Sequence, residues 1–164
     1  MGSAKAWAGN WSIEKIGDML NVMIPAYALG KTIREPGWDG AIRLAGAYGA
    51  SMATTTLLQP WVAEPRPNGG KNGFPSGHAT SAFSGATFIH ARYGLRQAAV
   101  PYAMAGFVAY SRVHSKWHYW HDVAAGAAIA GLYSWLLTGR ESSGKTLVVS
   151  GDTSGARLDF NIKF

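Results

Sequence analysis

The sequence predicts an all-α fold: a compact bundle of about five helices, followed by a short C-terminal β-hairpin or strand tail. Two observations lead to this prediction. Segments with helical apolar periodicity are separated by turn-forming residues, and the C-terminal residues alternate with a period of two. The composition is also unusual, since only 15% of the residues are charged while 48% are hydrophobic. That charged share lies below the quarter or so that is typical of soluble domains.

The chain of 164 residues suits a single domain. We expect residues 1–10 to be an N-terminal extension, residues 11–140 to form the helical domain and residues 141–164 to form the tail. The five helical segments run approximately over residues 12–31, 38–58, 76–93, 96–110 and 118–138.

Proline, glycine and capping residues set the limits of these segments. Pro25 is expected to kink or break the first segment, and Pro60 to end the second. The Gly/Pro/Asn-rich stretch 64–75 is a loop, and Ser76 is suited to cap the third segment. Pro101 falls in the first turns of the fourth segment, where proline is tolerated.

The tail shows a strand period. Leu158, Phe160 and Ile162 point to one side of an extended chain, and the polar residues between them point to the other. With TLVVS before a Gly/Asp/Ser turn, this pattern predicts a hairpin that packs against the bundle.

Two uncharged stretches, residues 44–63 and 123–139, approach the length of a membrane span. They are rich in Gly, Ala, Ser and Thr, a composition that favours close packing between helices over burial in lipid. The mean hydropathy is also near zero, at −0.02. We therefore expect a compact bundle with peripheral membrane contact, and an integral protein of the inner membrane is the alternative.

The charge balance suits an anionic partner. The net charge is +6 and the isoelectric point is near 9.7, which fits a phosphate ester, an anionic lipid surface or nucleic acid. The basic residues are scattered, without a Lys/Arg run, so nucleic acid is discounted as a partner. The chain has no cysteine, which excludes disulfides, thiolate nucleophiles and cysteine-based zinc sites.

Residues 75–78, Pro-Ser-Gly-His, stand where the third segment begins. The first amides of a helix have no intrahelical partner and carry the positive end of the dipole, so they form a ready anion site. Gly77 lets a ligand approach that backbone, and His78 would lie close enough to give a proton to a leaving oxygen. The alternative interpretation is an ordinary helix cap with a solvent-exposed histidine.

A second polar stretch, SRVHSKWHYWHD at residues 111–122, joins the fourth and fifth segments. Arg112 offers a planar fork to phosphate oxygens. His118 and Asp122 are four residues apart and would share one face of a helix, so Asp122 can hold one ring nitrogen and leave the other as a nucleophile. A surface pair is the alternative, and His114 and His121 are rival histidines. A histidine-rich tract can bind metal, but this spacing fits no zinc signature.

The combination of motifs is more specific than its parts. Arg66-Pro67 comes first, then Pro-Ser-Gly-His, then Ser-Arg, five residues, His118, three residues and Asp122. In this order the chain resembles the type 2 phosphatidic acid phosphatase superfamily, which also contains bacterial nonspecific acid phosphatases and vanadium haloperoxidases. The family pattern begins with Lys, six residues and Arg-Pro. The resemblance covers roughly residues 38–138.

The resemblance implies a role for each motif residue. His118 would be the nucleophile that forms a phosphohistidine, Asp122 would orient it, and His78 would protonate the leaving group and later help to activate water. The groups that would hold the phosphate oxygens are Arg66, Arg112, Ser76 and the Gly77 amide. The family chemistry needs no metal or other cofactor.

One position departs from the family pattern. The lysine would fall at position 59, and this chain has Gln59, which can donate a hydrogen bond but brings no charge. The loss removes electrostatic stabilisation of the phosphoryl group. Lys71 and Lys116, both in loops beside the motifs, are the candidate substitutes. Gln59 is either native or an engineered change.

The resemblance therefore implies a metal-independent phosphatase acting on a phosphate monoester or pyrophosphate. A catalytically weakened phosphate-binding or scaffold protein is one alternative, because of Gln59. A vanadate-dependent haloperoxidase is another, although known members are much longer. The aromatic residues near the motifs are expected either to line an approach for a lipid tail or to fill gaps in the bundle. They are Trp61, Phe74, Trp117, Tyr119 and Trp120.

A phosphorylated lipid is the favoured substrate, since small bacterial relatives often act on such lipids. The resemblance also implies a periplasmic location. Met1-Gly2-Ser3 looks like an expression scar, so we expect an export signal to have been removed. The sequence makes no prediction of the oligomeric state.

Overall fold

The computed structural model describes residues 12–139, 145–152 and 155–162. Its helical part confirms the predicted all-α bundle of five helices. The helices are α1 (Ile13–Thr32), α2 (Asp39–Val62), α3 (Gly77–Tyr93), α4 (Leu95–His114) and α5 (Trp120–Leu137). The expected extension at residues 1–10 lies outside the described residues.

Two strands, β1 (Lys145–Asp152) and β2 (Gly155–Ile162), follow the helices. They run antiparallel, with Lys145 opposite Ile162 and Asp152 opposite Gly155. The five helices alone determine the fold class. The expected packing of the tail against the bundle stays a prediction.

Several helix limits differ from those expected. α1 continues through Pro25, and α2 continues through Pro60 and ends at Val62, because each proline removes only one backbone donor from a helix that is otherwise packed. The next residue, Ala63, closes α2 in a left-handed conformation with φ 51°. α4 extends one turn beyond Tyr110, to His114.

The central helix is α3, which packs against each of the other four helices. Its small residues make this possible: Ala79, Ala82 and Ala86 are completely buried and let neighbouring backbones approach closely. Phe88 supplies the largest fully buried side chain of the described core. Residues at the two ends of α3 are therefore held in position by the whole bundle.

The outer surface of the bundle carries large apolar side chains. Val22 of α1, Ile42 of α2 and Trp135 of α5 are all well exposed. None of the described helices has both the length and the apolar content that crossing a membrane would require.

Candidate active site

The predicted motif residues meet at one end of the bundle, around a cavity of about 340 Å³. The start of α3, the end of α4, the loop before α5 and the first turns of α1 surround it. The predicted residues that line it are Gln59, Arg66, Gly77, His78, Arg112 and His118. The structure thus brings together motifs that are separated by more than fifty residues in the chain, from Gln59 to His118.

Ser76 caps α3, as the sequence predicts, but it does not line the cavity. Its side chain is completely buried and its Oγ accepts a hydrogen bond from the Ala79 amide at 3.4 Å. A direct contact between this hydroxyl and a phosphate oxygen is therefore not what the geometry offers. Gly77, the first residue of α3, is the one that presents backbone at the positive end of the helix dipole.

A close approach of α5 to the start of α3 joins the two principal motifs. A Cβ at Gly126 would lie 2.7 Å from the Ser76 carbonyl oxygen, so only glycine fits between these helices. The Ser76 amide also donates to the Asp122 carbonyl oxygen at 3.0 Å. Pro-Ser-Gly-His is thereby fixed against the segment that carries His118 and Asp122.

His118 lies in the loop before α5, so the expectation that it shares a helix face with Asp122 is wrong. Tyr119 takes the N-cap position, and its amide donates to Asp122 Oδ2 at 2.8 Å. His118 Nδ1 lies 2.7 Å from the carbonyl oxygen of Gly73 and 3.4 Å from Asp122 Oδ2. The carbonyl of Gly73 is thus the nearer partner, and Nε2 is the ring nitrogen left for chemistry in the cavity.

The surroundings of His118 favour its neutral form. Only 3% of the residue is exposed, and this burial lowers the pKa of His118 below its ordinary value. The Gly73 carbonyl and the Asp122 carboxylate act in the opposite direction, and Arg66 adds to the lowering. An imidazole that is neutral near pH 7 and has one nitrogen held by hydrogen bonding has the form of a nucleophile.

Two guanidinium groups face the cavity and both are held in place. Arg112 is buried, and its Nε donates to Ser111 Oγ at 3.1 Å while its Nη2 donates to the Glu14 carbonyl at 2.9 Å. Arg66 donates from Nε to the Lys71 carbonyl at 3.1 Å and stacks over Trp117, with 5.3 Å from its Cζ to the ring centre. The pair can bind a doubly charged phosphoryl group without first having to be ordered.

His78 lies beside these cations at the first turn of α3. Burial lowers the pKa of His78, and Arg112 and Arg66 lower it further. Asp18 of α1 opposes them, with its Oδ1 3.2 Å from His78 Nε2. His78 can therefore act as a proton donor only in the pH range where these opposing effects leave it charged.

Gln59 occupies the wall of the cavity where the family pattern has lysine. Its Nε2 donates to the Pro75 carbonyl at 3.1 Å, directly before the capped start of α3. Neither Lys71 nor Lys116 is among the residues that line the cavity, and both side chains are exposed. The structure thus places neither lysine at the position left by the missing charge.

The helix α1 contributes two acidic residues to the cavity that were not predicted from the sequence. Glu14 and Asp18 both line the cavity, and Glu14 Oε1 accepts from Trp117 Nε1 at 2.8 Å. The available signal was Gly17: a glycine next to an acidic residue inside an amphipathic helix. A Cβ at Gly17 would lie 2.1 Å from Ser111 Oγ, so its absence lets α1 touch the end of α4.

The rival histidines lie elsewhere. His121 Nε2 lies 2.7 Å from Glu64 Oε1 and 3.0 Å from Asp122 Oδ1, behind His118. The ligand atoms of these three residues all lie within 4.8 Å of one another, so they are the group in the described chain that could hold a metal ion. His114 is exposed and is paired with Tyr110.

Comparison with known proteins confirms the predicted resemblance. The profile of the PAP2 superfamily matches residues 68–141, a range that includes His78, Arg112, His118 and Asp122. A lipid A 4'-phosphatase of Helicobacter pylori is 27% identical over 163 aligned residues, which cover 90% of this chain and 82% of that protein. A lipid A 1-phosphatase of Porphyromonas gingivalis is 40% identical over 68 residues. The match covers 39% of this chain but spans only 15% of the length of that protein.

A solved structure shows the same fold. It is the crystal structure of a transmembrane PAP2-type phosphatidylglycerolphosphate phosphatase from Bacillus subtilis, which aligns with a TM-score of 0.59 and 23% sequence identity. The alignment covers 76% of this chain and 71% of that one. The helical bundle described above therefore shares its fold with that structure.

Proposed function

The chain resembles the PAP2 superfamily in its motifs, its profile and its fold, and from this premise we propose that it is a lipid phosphate phosphatase. It hydrolyses a phosphate monoester or pyrophosphate through a phosphohistidine and without a metal ion. The observation that carries the proposal is His118: its Nδ1 is held at 2.7 Å by the Gly73 carbonyl, beside a cavity lined by Arg66 and Arg112.

In the first step, the lone pair of His118 Nε2 attacks phosphorus and the bond to the leaving oxygen breaks. The proton of a charged His78 passes to that oxygen. The phosphorylated His118 carries a positive charge, which the Gly73 carbonyl and the Asp122 carboxylate at 3.4 Å stabilise.

In the second step, water attacks phosphorus and the phosphorus–nitrogen bond breaks. His78, now neutral, takes a proton from the water, and His118 leaves as neutral imidazole. Inorganic phosphate departs and both histidines return to their starting states. Arg66, Arg112 and the Gly77 amide stabilise the charge on the phosphoryl oxygens throughout.

Two observations favour a lipid substrate. The curated relatives are lipid A phosphatases, and the solved relative is a phosphatidylglycerolphosphate phosphatase. In addition, Trp61 and Trp120 stand within two residues of Gln59 and His118, and their side chains are 87% and 61% exposed. Exposed aromatic residues that neighbour cavity-lining residues in the chain suit a site that faces a lipid surface. Peripheral contact with a membrane and a periplasmic location stay predictions.

The test is hydrolysis of a generic aryl phosphate in EDTA by the wild type and by His118→Ala. We expect EDTA to leave the rate unchanged and His118→Ala to lower it by about 10⁴-fold or more. His114→Ala is the matched control, because His114 belongs to the same segment but does not line the cavity. Loss of activity in EDTA, or an unchanged rate for His118→Ala, would contradict the mechanism.

The same preparation separates the other candidate functions. Binding of phosphate or vanadate without turnover would identify a scaffold protein weakened by Gln59. Halide oxidation in the presence of vanadate would identify a haloperoxidase. A panel of lipid A phosphates, polyprenyl pyrophosphate and phosphatidylglycerophosphate, set against soluble monoesters, then defines the substrate.

A further inference from the structure

The proposed phosphate pocket contains a carboxylate that the mechanism above does not use. Asp18 Oδ1 lies 2.8 Å from Arg112 Nη1 and 3.2 Å from His78 Nε2. It therefore contacts both the cation that is to bind phosphate and the histidine that is to protonate the leaving group. A negative charge at this place would repel a phosphate ester, so its presence needs a reason.

The contact with Arg112 is built by the packing of α1 on α4. The Nη1 atom of Arg112 contacts the Asp18 carboxylate, and its Nη2 donates to the Glu14 carbonyl; both partners belong to α1. Its Nε donates to Ser111 Oγ. Gly17 lets the two helices approach this closely. The Glu14 carbonyl takes one N–H of Nη2, so the guanidinium keeps N–H groups with which to bind phosphate oxygens.

The contact between Asp18 and His78 opposes the effect of the two nearby arginines on the charge of His78. The groups that face His78 are Arg112 from α4, Arg66 from the loop after α2, and Asp18 from α1. Burial and both arginines lower the pKa of His78, whereas Asp18 is the group that raises it. An imidazole between two guanidinium groups would lose its proton, and a neutral imidazole held at Nε2 has none to give to a leaving oxygen.

We infer that Asp18 is a positioning residue that keeps His78 charged as the proton donor and fixes the guanidinium of Arg112 for phosphate. The inference rests on the proposed function and deepens it. Asp18 acts through His78 and Arg112 and forms no bond to the substrate.

The test compares Asp18→Asn with Glu14→Gln on two substrates. An aryl phosphate with an acidic leaving group needs little proton donation, whereas an alkyl phosphate depends on it. We expect Asp18→Asn to lower kcat/KM for the alkyl ester by about 10²-fold and for the aryl ester by roughly tenfold or less. Glu14→Gln is the matched control, from the same helix and cavity, and should leave the ratio of the two substrates unchanged.

A second measurement does not depend on activity. Asp18→Asn should lower the pKa of His78, followed by NMR of its imidazole, and should move the alkaline limb of the kcat/KM profile to lower pH. Asp18→Ala should do the same if the asparagine variant folds poorly. Glu14→Gln should leave the His78 titration where it is in the wild type.

Three results would overturn the inference. They are an equal loss on both substrates, an unmoved His78 titration, or tighter binding of inorganic phosphate to Asp18→Asn with a raised kcat. The last result would show that Asp18 competes with the substrate. Failure of the proposed function is recognised separately, because His118→Ala would then hydrolyse the aryl ester as the wild type does.

Discussion

Each end of α3 carries a histidine and lies beside a buried arginine, but the two ends are built differently. At the start, His78 and Arg112 line an open cavity. At the other end, about 21 Å along the helix axis, Arg92 is enclosed: it donates to both carboxylate oxygens of Glu35 at 2.9 and 3.1 Å and to the Gly139 carbonyl at 3.2 Å. Tyr93 also donates to Glu35, and Asp39 adds a second carboxylate.

The two arginines differ in whether their charge is neutralised within the protein or is left facing open space. The charge of Arg92 is neutralised within the protein by two carboxylates. The pKa of Glu35 is lowered chiefly by its hydrogen bond with Arg92. Arg112 contacts one half-exposed carboxylate and donates hydrogen bonds to two neutral oxygens. It also faces a cavity that a phosphoryl group can fill. Burial alone does not distinguish them, since both arginines are less than 8% exposed.

The largest effect should come from replacing the histidine at the open end of α3, compared with replacing the histidine at its closed end. We expect His78→Gln to lower kcat/KM for an alkyl phosphate by about 10²–10⁴-fold, because it removes the proton donor. His90→Gln is the control at the closed end, where His90 is paired with Tyr102 at 3.0 Å. An equal loss in both variants would mean that the histidines matter only for packing.

The pH profile sharpens this prediction. His78 must be charged to act, so activity is present below its pKa and is lost as the pH rises through it. Because the pKa of His78 is lowered, the midpoint of the alkaline limb of kcat/KM should lie below about pH 6.5. The limb should be absent in His78→Gln, and a limb that persists unchanged would assign it to another group.

The two arginines should then separate catalysis from stability. Arg112→Lys keeps the charge but loses the fork, and we expect kcat to fall by about 10²–10³-fold. Arg92→Ala leaves the largely enclosed carboxylate of Glu35 without its cation, although Tyr93 still donates to it, and we expect the free energy of unfolding to fall by about 3 kcal/mol. Urea denaturation and steady-state kinetics on both variants check this. A catalytic loss for Arg92→Ala while it remains folded would break the distinction.

The smallest effect should come from Gln59→Lys. The added cation faces the cavity and should tighten the binding of inorganic phosphate by roughly tenfold, measured as its inhibition constant. Gln59→Met keeps the size but removes the hydrogen bond to the Pro75 carbonyl at 3.1 Å. If Gln59→Lys and Gln59→Met bind phosphate equally, the charge at this position has no role.

The sequence predicted the bundle and most of the cavity lining for clear physical reasons. The bundle could be predicted because helical periodicity and turn residues are local features. The cavity lining could be predicted because the motifs lie at the ends of the helical segments, and a shared pocket requires those ends to lie together. The site details that depend on tertiary contacts were missed. Asp18 and Arg112 are 94 residues apart, and no spacing rule links them.

His118 shows a second kind of limit. Its spacing from Asp122 suits a helix, but Asp122 instead accepts from the Tyr119 amide and so begins the helix after His118. An aspartate four residues after a histidine can either pair with it on a helix or cap the start of the next helix. Which of the two forms depends on whether the His118 ring or the Tyr119 amide binds Asp122 more closely. The Gly73 carbonyl could not be predicted, because a backbone partner leaves no signature in the sequence.

The most direct test of the phosphohistidine mechanism is to trap the covalent intermediate. The protein is mixed with a phosphate ester, quenched in base to preserve phosphohistidine, and digested for mass spectrometry. We predict one added phosphoryl group on His118, a larger trapped fraction in His78→Gln with an aryl ester, and none in His118→Ala. A phosphoryl group on another residue, or turnover with no trapped intermediate in any variant, would contradict it.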